Sequence, residues 1–356
     1  MKRAFGAVSA LLAGTLSAHA GGIERSTQSV AILFEKGSHV EFSMGAFNPD
    51  VSGTVAGGAV TSGDMAKGYG TFAFGYKEAL STRLDMAVIL DEPVGVNVAY
   101  PAGAAPYPLA GSTADLDALA LTALLRFKIA EGYSVHGGLR AQPVQGEVSI
   151  PLFGYGMTTR TDREIGYVLG VGWEKPEIAA RVALTYNSAI RHQLRAQETF
   201  SPTPTAFETE IPQSVNLEFQ TGIARDTLLF GSVRWVDWSV FDITPPAFLA
   251  ATGYAISDIE KDTVTYNLGI GRRFSENWAG AVTFGYEPAS GALMGNLAPT
   301  DGYRSIGVAA SYMRGGMTIT GGMTYVDVGD ATTMVVGGDF RGNSGLGAGL
   351  KVSYGF

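Results

Sequence analysis

The sequence predicts an all-β protein, a transmembrane antiparallel β-barrel of about 14 strands with a short N-terminal hatch segment. Three observations support this prediction. Residues 345–356 alternate between apolar side chains and small or polar ones, so one face of a strand suits lipid and the other suits water. Segments with the same alternation recur along the chain, and the connections between them are alternately short and long. That order is expected when turns lie on one side of a membrane and loops on the other.

Composition favours the same class. The 356 residues include 48 glycines, are 46% hydrophobic and are only 16% charged, whereas globular proteins average about 25% charged residues. The net charge of -8 and the lack of a basic stripe argue against nucleic acid as a partner. The chain has no cysteine, which excludes a disulfide framework and thiol chemistry.

The N-terminus has the pattern of a secretory signal. Lys2 and Arg3 precede an apolar run over residues 4–16, and Ala18-His19-Ala20 supplies a small-residue cleavage site. The run is shorter than the roughly 20 residues of a transmembrane helix. We therefore expect a signal peptide over 1–20, a hatch or plug segment over 21–38 and the barrel over 39–356.

Fourteen alternating segments are predicted as strands. They are 39–47, 69–77, 82–90, 119–129, 133–144, 164–173, 177–187, 214–224, 227–236, 262–273, 277–286, 301–313, 317–327 and 345–356. An even number places both termini on the same side of a membrane.

The predicted connections alternate in length without exception. The short ones are 78–81, 130–132, 174–176, 225–226, 274–276 and 314–316, and the long ones are 48–68, 91–118, 145–163, 188–213, 237–261, 287–300 and 328–344. A soluble β-sandwich, which is the alternative fold, has no reason to follow this rule.

The hairpin over 211–243 carries a motif. A strand led by Pro212 is followed by Trp235, Trp238, Ser239 and Phe241 in a Trp-x-x-Trp-Ser-x-Phe pattern. This resembles the long-chain fatty acid transporters of the Gram-negative outer membrane and their aromatic hydrocarbon transporter relatives. The resemblance implies a 14-stranded barrel with an N-terminal hatch, which takes up hydrophobic molecules and releases them sideways into the membrane.

The chain departs from that family before its first strand. The family's hatch is longer and carries an Asn-Pro-Ala motif, whereas here only residues 21–38 precede the first strand. Asn48-Pro49-Asp50 follows that strand and is interpreted as an outer turn. Gating by a hatch this short is therefore in doubt.

Two predicted outer loops, 91–118 and 237–261, are unusually apolar. Exposed apolar clusters mark binding sites, so we expect these loops to capture a hydrophobic ligand. The alternative is that they close over the barrel mouth and pack on each other. The candidate ligand-binding residues are Val96, Tyr100, Tyr107, Leu109, Phe248 and Leu249.

Pro93 is the candidate for a lateral opening. Proline cannot donate to a sheet ladder, so a break in pairing there could open a hole in the barrel wall. The alternative is that Pro93 only begins the outer loop.

Three arginines are predicted to face the lumen on neighbouring strands. Arg126, Arg140 and Arg181 could hold a carboxylate through paired hydrogen bonds. The alternative is that they pair with lumenal carboxylates.

An enzyme is disfavoured. The histidines after residue 20 are His39, His136 and His192, and none lies in a catalytic or metal-binding motif. We expect no cofactor, no metal and no catalytic residue. The expected partners are fatty acids or other hydrophobic small molecules and outer-membrane lipid. A structural or adhesive barrel and a general diffusion porin remain alternatives.

Overall fold

A computed structural model describes residues 23–356. The predicted signal peptide, 1–20, lies outside the described residues. No helix in the described part of the chain is long and apolar enough to cross a membrane.

Fourteen antiparallel strands form a closed barrel, which confirms the predicted fold. The strands are β1 (His39–Asp50), β2 (Tyr69–Ala79), β3 (Leu84–Ala99), β4 (Thr113–Ala130), β5 (Tyr133–Ile150), β6 (Asp162–Lys175), β7 (Ala180–Asn187), β8 (Ser214–Ala224), β9 (Thr227–Val236), β10 (Thr263–Arg273), β11 (Trp278–Glu287), β12 (Tyr303–Arg314), β13 (Met317–Val328) and β14 (Asn343–Gly355). Each pairs with the next, and β14 closes the ring on β1 through the partners His39 and Gly355 at one end and Asp50 and Ser344 at the other.

Short elements decorate the connections. The additional strands are Gly53–Val55, Val60–Thr61, Tyr155–Thr159, Ile190–Glu198, Thr205–Ile211, Asp242–Ile243, Ser257–Asp258, Ala331–Thr332 and Asp339–Phe340. Within residues 23–356, the α-helix α1 spans Pro246–Thr252, and 3-10 turns span Ala31–Phe34, Ala56–Gly58, Ala102–Ala104, Pro151–Phe153, Pro176–Ile178 and Trp238–Val240.

The barrel carries an apolar belt on its outside. On β10, Tyr266, Leu268 and Ile270 are each nearly half exposed, while Thr265 on the opposite face is buried in the lumen. The same alternation repeats around the ring, because successive side chains of a strand point to opposite faces. An apolar surface this continuous requires an apolar surrounding.

Several elements extend further outward than the sequence indicates. β3, β4 and β5 run well beyond the predicted ends of their strands, and residues 48–50 belong to the end of β1. The interpretation of Asn48-Pro49-Asp50 as an outer turn was therefore wrong, because β14 continues to pair with β1 as far as Asp50. Ile190–Glu198 and Thr205–Ile211 pair with each other as an outer hairpin above the barrel.

Residues 23–38, called here the inner segment, lie inside the barrel. Their Val30, Ile32, Leu33 and Phe34 side chains are buried against lumen-facing residues of β3, β4, β6 and β7. Arg126 donates a hydrogen bond to the Leu33 carbonyl at 3.1 Å. The apolar side of the lumen is thereby filled by the chain's own N-terminal residues.

Candidate functional site

A large apolar cluster, called here the outer cluster, occupies the outer end of the barrel. It joins side chains from β3, β4, β5, the outer hairpin and the loop that contains α1. It surrounds a small cavity of about 30 Å³, lined by apolar residues that include Ile23, Leu116, Phe207 and Phe241. That volume equals about one water molecule's share of the liquid. A hydrophobic ligand must therefore part side chains or loops to enter.

Most of the predicted capture residues meet in this cluster. Val96 lines the cavity. Tyr100 and Tyr107 stack with their ring centroids 5.5 Å apart, and both are buried in the cluster with Leu109 and Phe248. Leu249 lies apart from them, 43% exposed on the outer surface. The two apolar loops pack on each other and also enclose a cavity. Closure over the barrel mouth and capture of a ligand are therefore compatible.

A buried carboxylate joins α1 to the outer hairpin. Glu198 accepts hydrogen bonds from the backbone N–H of Phe248 at 2.9 Å and of Ala247 at 3.3 Å. It also accepts one from the Tyr155 hydroxyl at 3.0 Å. Pro246 at the first helical position supplies no N–H and Gly253 ends the helix at a φ of 78°. The N–H groups at the start of α1, which have no partner within the helix, therefore donate to the Glu198 carboxylate.

The barrel wall changes between β2 and β3. The ladder that joins these strands starts at Ala79 and Asp85 and ends at Phe74 and Leu90. Beyond it, the outer residues of β2 pair only with β1. On its other side, β3 stays paired with β4, but its register shifts between Asp91 and Val94. Pro93, the predicted break, lies within this shift.

The inner segment takes up the edge of β3 that β2 leaves. The backbone N–H of Arg25 donates to the Pro93 carbonyl at 3.0 Å, and that of Gly95 donates to the Ile23 carbonyl at 2.8 Å. Ser26 donates from its hydroxyl to Asp91 at 2.5 Å. We call the region between the outer half of β2 and residues 91–93 the β2–β3 gap.

A polar cavity of about 220 Å³ lies in the lumen behind the gap, lined by residues of β1–β3 and β8–β14. Its charged lining residues are Arg25, Glu41, Asp91, Glu92, Glu218 and Lys351, so carboxylates outnumber cations. Lys351 is paired with Glu41 at 2.6 Å. Arg25 lies over the Tyr69 ring, 4.3 Å from its centroid. Arg25 therefore lies where the gap meets the outer cluster, because Ile23, two residues earlier, belongs to that cluster.

The three predicted lumenal arginines are buried but serve different contacts. Arg126 and Arg181 lie over the Phe34 ring, 4.0 Å and 5.3 Å from its centroid, and Arg126 also pairs with Glu174. Arg140 hydrogen-bonds instead to the Thr122 hydroxyl at 2.9 Å. Two of the three contact the inner segment, and Arg126 also pairs with carboxylates, as the alternative expects.

Several residues of these sites were missed by the sequence reasoning. Ile23 and Arg25 lie in a segment without periodicity, so nothing in the sequence indicated their position. Leu194 and Phe207 of the outer cluster lie in a stretch that was interpreted as loop. A signal was present there, because Ile190, Leu194 and Ala196 alternate with charged or polar residues. Within residues 23–356, no group of three or more His, Asp or Glu side chains is placed to bind a metal ion.

No family model and no curated protein matches this chain. Solved structures do match it. A FadL homologue from Pseudomonas aeruginosa is similar with a TM-score of 0.75 and 15% identity, over 92% of each chain. This chain has the fold of the FadL family. The toluene transporter TodX of Pseudomonas putida matches this FadL fold with a TM-score of 0.64 and 10% identity, over 92% of each chain. The monoaromatic hydrocarbon channel CymD matches over 100% of this chain and 98% of its own, with a TM-score of 0.62 and 14% identity.

At these identities the similarity to FadL structures concerns the fold. The ligand and its route therefore depend on this chain's own side chains, above all those of the outer cluster and the β2–β3 gap.

Proposed function

We propose that this protein is an outer-membrane transporter that takes up hydrophobic molecules passively. The outer cluster captures the ligand, and the β2–β3 gap releases it sideways into the membrane. The observation that carries the proposal is the end of the β2–β3 ladder at Leu90, next to Pro93. Here two backbone hydrogen bonds to the inner segment replace the strand ladder, so an apolar molecule can leave the barrel sideways once that segment moves.

The inner segment supports this route over a pore along the barrel axis. Val30, Leu33 and Phe34 are buried in the lumen, and lumenal arginines hold Phe34. We propose that residues 21–38 act as the hatch, so that a general diffusion porin is the less favoured alternative. The apolar character of the outer cluster also disfavours a purely structural or adhesive barrel. The similar proteins are described as transporters or channels, and we propose no catalytic activity.

Long-chain fatty acids are the proposed ligands. A carboxylate that leaves the outer cluster meets Arg25, which lines the lumenal cavity and whose guanidinium donates a hydrogen bond to Asn97. A hydrogen bond between a guanidinium and a carboxylate is charge-assisted and about twice as strong as a neutral one.

Neutral hydrocarbons are a second candidate, favoured by a specific observation. Asp91, Glu92 and Glu218 line the same cavity, and these carboxylates oppose a second negative charge there. A hydrocarbon has no charge to be opposed.

Binding of matched ligands to the purified barrel separates the two. We would titrate palmitate, hexadecane and toluene against the wild type, Arg25→Gln and Glu92→Gln. A fatty acid transporter loses palmitate affinity in Arg25→Gln and gains it in Glu92→Gln, with hexadecane unchanged. A hydrocarbon channel binds the neutral ligands better than palmitate in all three proteins. If none of the three ligands binds, the proposed function is wrong.

A further inference from the structure

An exposed basic face lies above the lipid-facing belt on one side of the barrel. It consists of Arg160, Arg163 and Arg195, all of them exposed. A cluster of positive charge is unexpected on a chain with a net charge of -8. We call these three residues the basic face.

Arg163, the residue of the basic face nearest the lipid-facing belt, continues a stripe of lipid-facing side chains. On β6, Val171, Leu169, Tyr167 and Ile165 point outward, and Ile165 is 67% exposed. Arg163 is the next residue with the same orientation, and it is also exposed. Within this stripe, Tyr167 contacts Tyr186 of β7 with ring centroids 5.9 Å apart. At about 3.3 Å per residue and a tilt of about 40°, Arg163 lies about 10 Å above Tyr167.

The other two arginines lie directly across from each other, further out. Tyr155–Thr159 pairs with the outer hairpin, with Thr159 opposite Ala196. The Arg160 N–H donates to the Arg195 carbonyl at 2.9 Å, so the two arginines are cross-strand neighbours. Their hairpin turns its alternate residues, Leu194 and Ala196, into the outer cluster. Arg195 therefore points away from the barrel.

Three of the acids nearby have partners within the chain. Glu210 lies 2.6 Å from Arg191, and Glu208 accepts a hydrogen bond from Gln193 at 3.0 Å. Asp162 lies 3.1 Å from His192. Within residues 23–356, no carboxylate lies within 4.0 Å of the guanidinium nitrogens of Arg160, Arg163 or Arg195. Like charges placed opposite each other on a sheet destabilise it, so this arrangement suits an anion from outside the chain.

We infer that the basic face binds the phosphate groups of a phosphorylated glycolipid in the outer leaflet. Three guanidinium groups spread over two levels above the lipid belt match a headgroup that carries more than one phosphate, and guanidinium groups bind phosphate through paired hydrogen bonds. A lipid is the favoured source because the face continues a stripe that acyl chains cover. The inference rests on the barrel standing in the outer membrane, and it is independent of the cargo.

The experiment measures binding of diphosphoryl lipid A to the mature protein in neutral detergent by native mass spectrometry. The test variant is R160Q/R163Q/R195Q. The control variant is R272Q/R304Q/R314Q, which removes the same charge from exposed arginines elsewhere. Among these, Arg304 lies opposite Asp327 in the ladder between β12 and β13. Two further measurements use monophosphoryl lipid A with the same acyl chains, and inorganic phosphate as a competitor.

We expect diphosphoryl lipid A to bind the wild type and the control equally and to bind the test variant about tenfold more weakly or worse, a loss of about 1.4 kcal/mol or more. Monophosphoryl lipid A should bind the wild type more weakly than the diphosphoryl form. Palmitate binding should be unchanged in the test variant, which keeps a failure of this inference distinct from a failure of the proposed cargo. Equal lipid A binding by wild type and test variant, no preference for the second phosphate, or displacement by millimolar inorganic phosphate would each overturn the inference.

Discussion

Arg25 and Pro93 are joined by a backbone hydrogen bond of 3.0 Å from the Arg25 N–H to the Pro93 carbonyl. This bond ties the inner segment to the one stretch of β3 where the wall loses its ladder to β2. Proline supplies no N–H of its own, so the strand at this position can accept a bond but cannot donate one. The N-terminal residues and the β2–β3 gap are therefore one structural unit.

Replacing Pro93 with valine should close the gap. Valine restores an N–H on the edge of β3 that faces the inner segment, so pairing along that edge can continue and hold the segment in place. We expect Pro93→Val to slow the uptake of labelled oleate into cells severalfold. Pro143 of β5 offers a matched control, because β5 pairs with β6 at that position. Oleate uptake at the wild-type rate in Pro93→Val would remove the lateral route.

The inner segment should keep ion conductance low. The guanidinium groups of Arg126 and Arg181 both lie over the Phe34 ring, and truncating a buried phenylalanine typically costs about 3–5 kcal/mol. In planar bilayers we expect small, rare openings for the wild type and more frequent ones for Phe34→Ala. Phe153→Ala, which truncates an outer aromatic residue, serves as the control and should behave like the wild type. Large and steady conductance of the wild type would favour a general porin.

The barrel could be predicted from sequence because each strand repeats the same elementary signal. Lipid outside and a wet lumen inside impose a period of two, and Tyr266, Leu268 and Ile270 show it without knowledge of any neighbour. Each of the fourteen strands can therefore be recognised separately in the sequence. Their outer ends cannot be recognised in this way, because β3–β5 continue above the belt, where the outward side chains no longer need to be apolar.

The contacts of the site depend on neighbours that are distant in sequence. Arg126 was correctly predicted to face the lumen, but its partners Leu33 and Glu174 lie 93 and 48 residues away. Only the register of the closed strands decides that Phe34 lies against this guanidinium. Nothing in the sequence predicted the position of Arg25, because the inner segment contains a single 3-10 turn and its side chains follow no periodic pattern.

Glu198 should control how firmly α1 is held over the outer cluster. It accepts hydrogen bonds from two N–H groups at the start of α1 and from Tyr155, and hydrogen bonds to a charged group contribute about 1.5–3 kcal/mol. Glu198→Gln should raise amide hydrogen exchange across Pro246–Thr252 and weaken ligand binding. The exposed Glu208→Gln, on the same outer hairpin, should change neither quantity. Unchanged exchange in Glu198→Gln would show that apolar packing alone holds the helix.

His192 should make the outer hairpin sensitive to acid. The side chain is buried under the hairpin with Nδ1 3.1 Å from Asp162. Burial lowers the pKa of His192 below its usual value, although the carboxylates of Asp162 and Glu164 oppose that shift. The unfolded hairpin therefore binds a proton at a higher pH than the folded one does. The stability that neutral His192 provides is complete above the ordinary pKa of about 6.5 and is lost as the pH falls through the folded value.

Hydrogen exchange measures this sensitivity directly. After correction for the intrinsic rate, amides of Ile190–Glu198 and Thr205–Ile211 should exchange faster at pH 5 than at pH 7.5. His192→Gln, which cannot gain a charge, should remove the difference. His39→Gln, at the other end of the barrel, should retain it. A wild-type hairpin whose protection is the same at both pH values would mean that the folded and unfolded hairpins bind a proton at His192 equally well, with Asp162 offsetting the effect of burial.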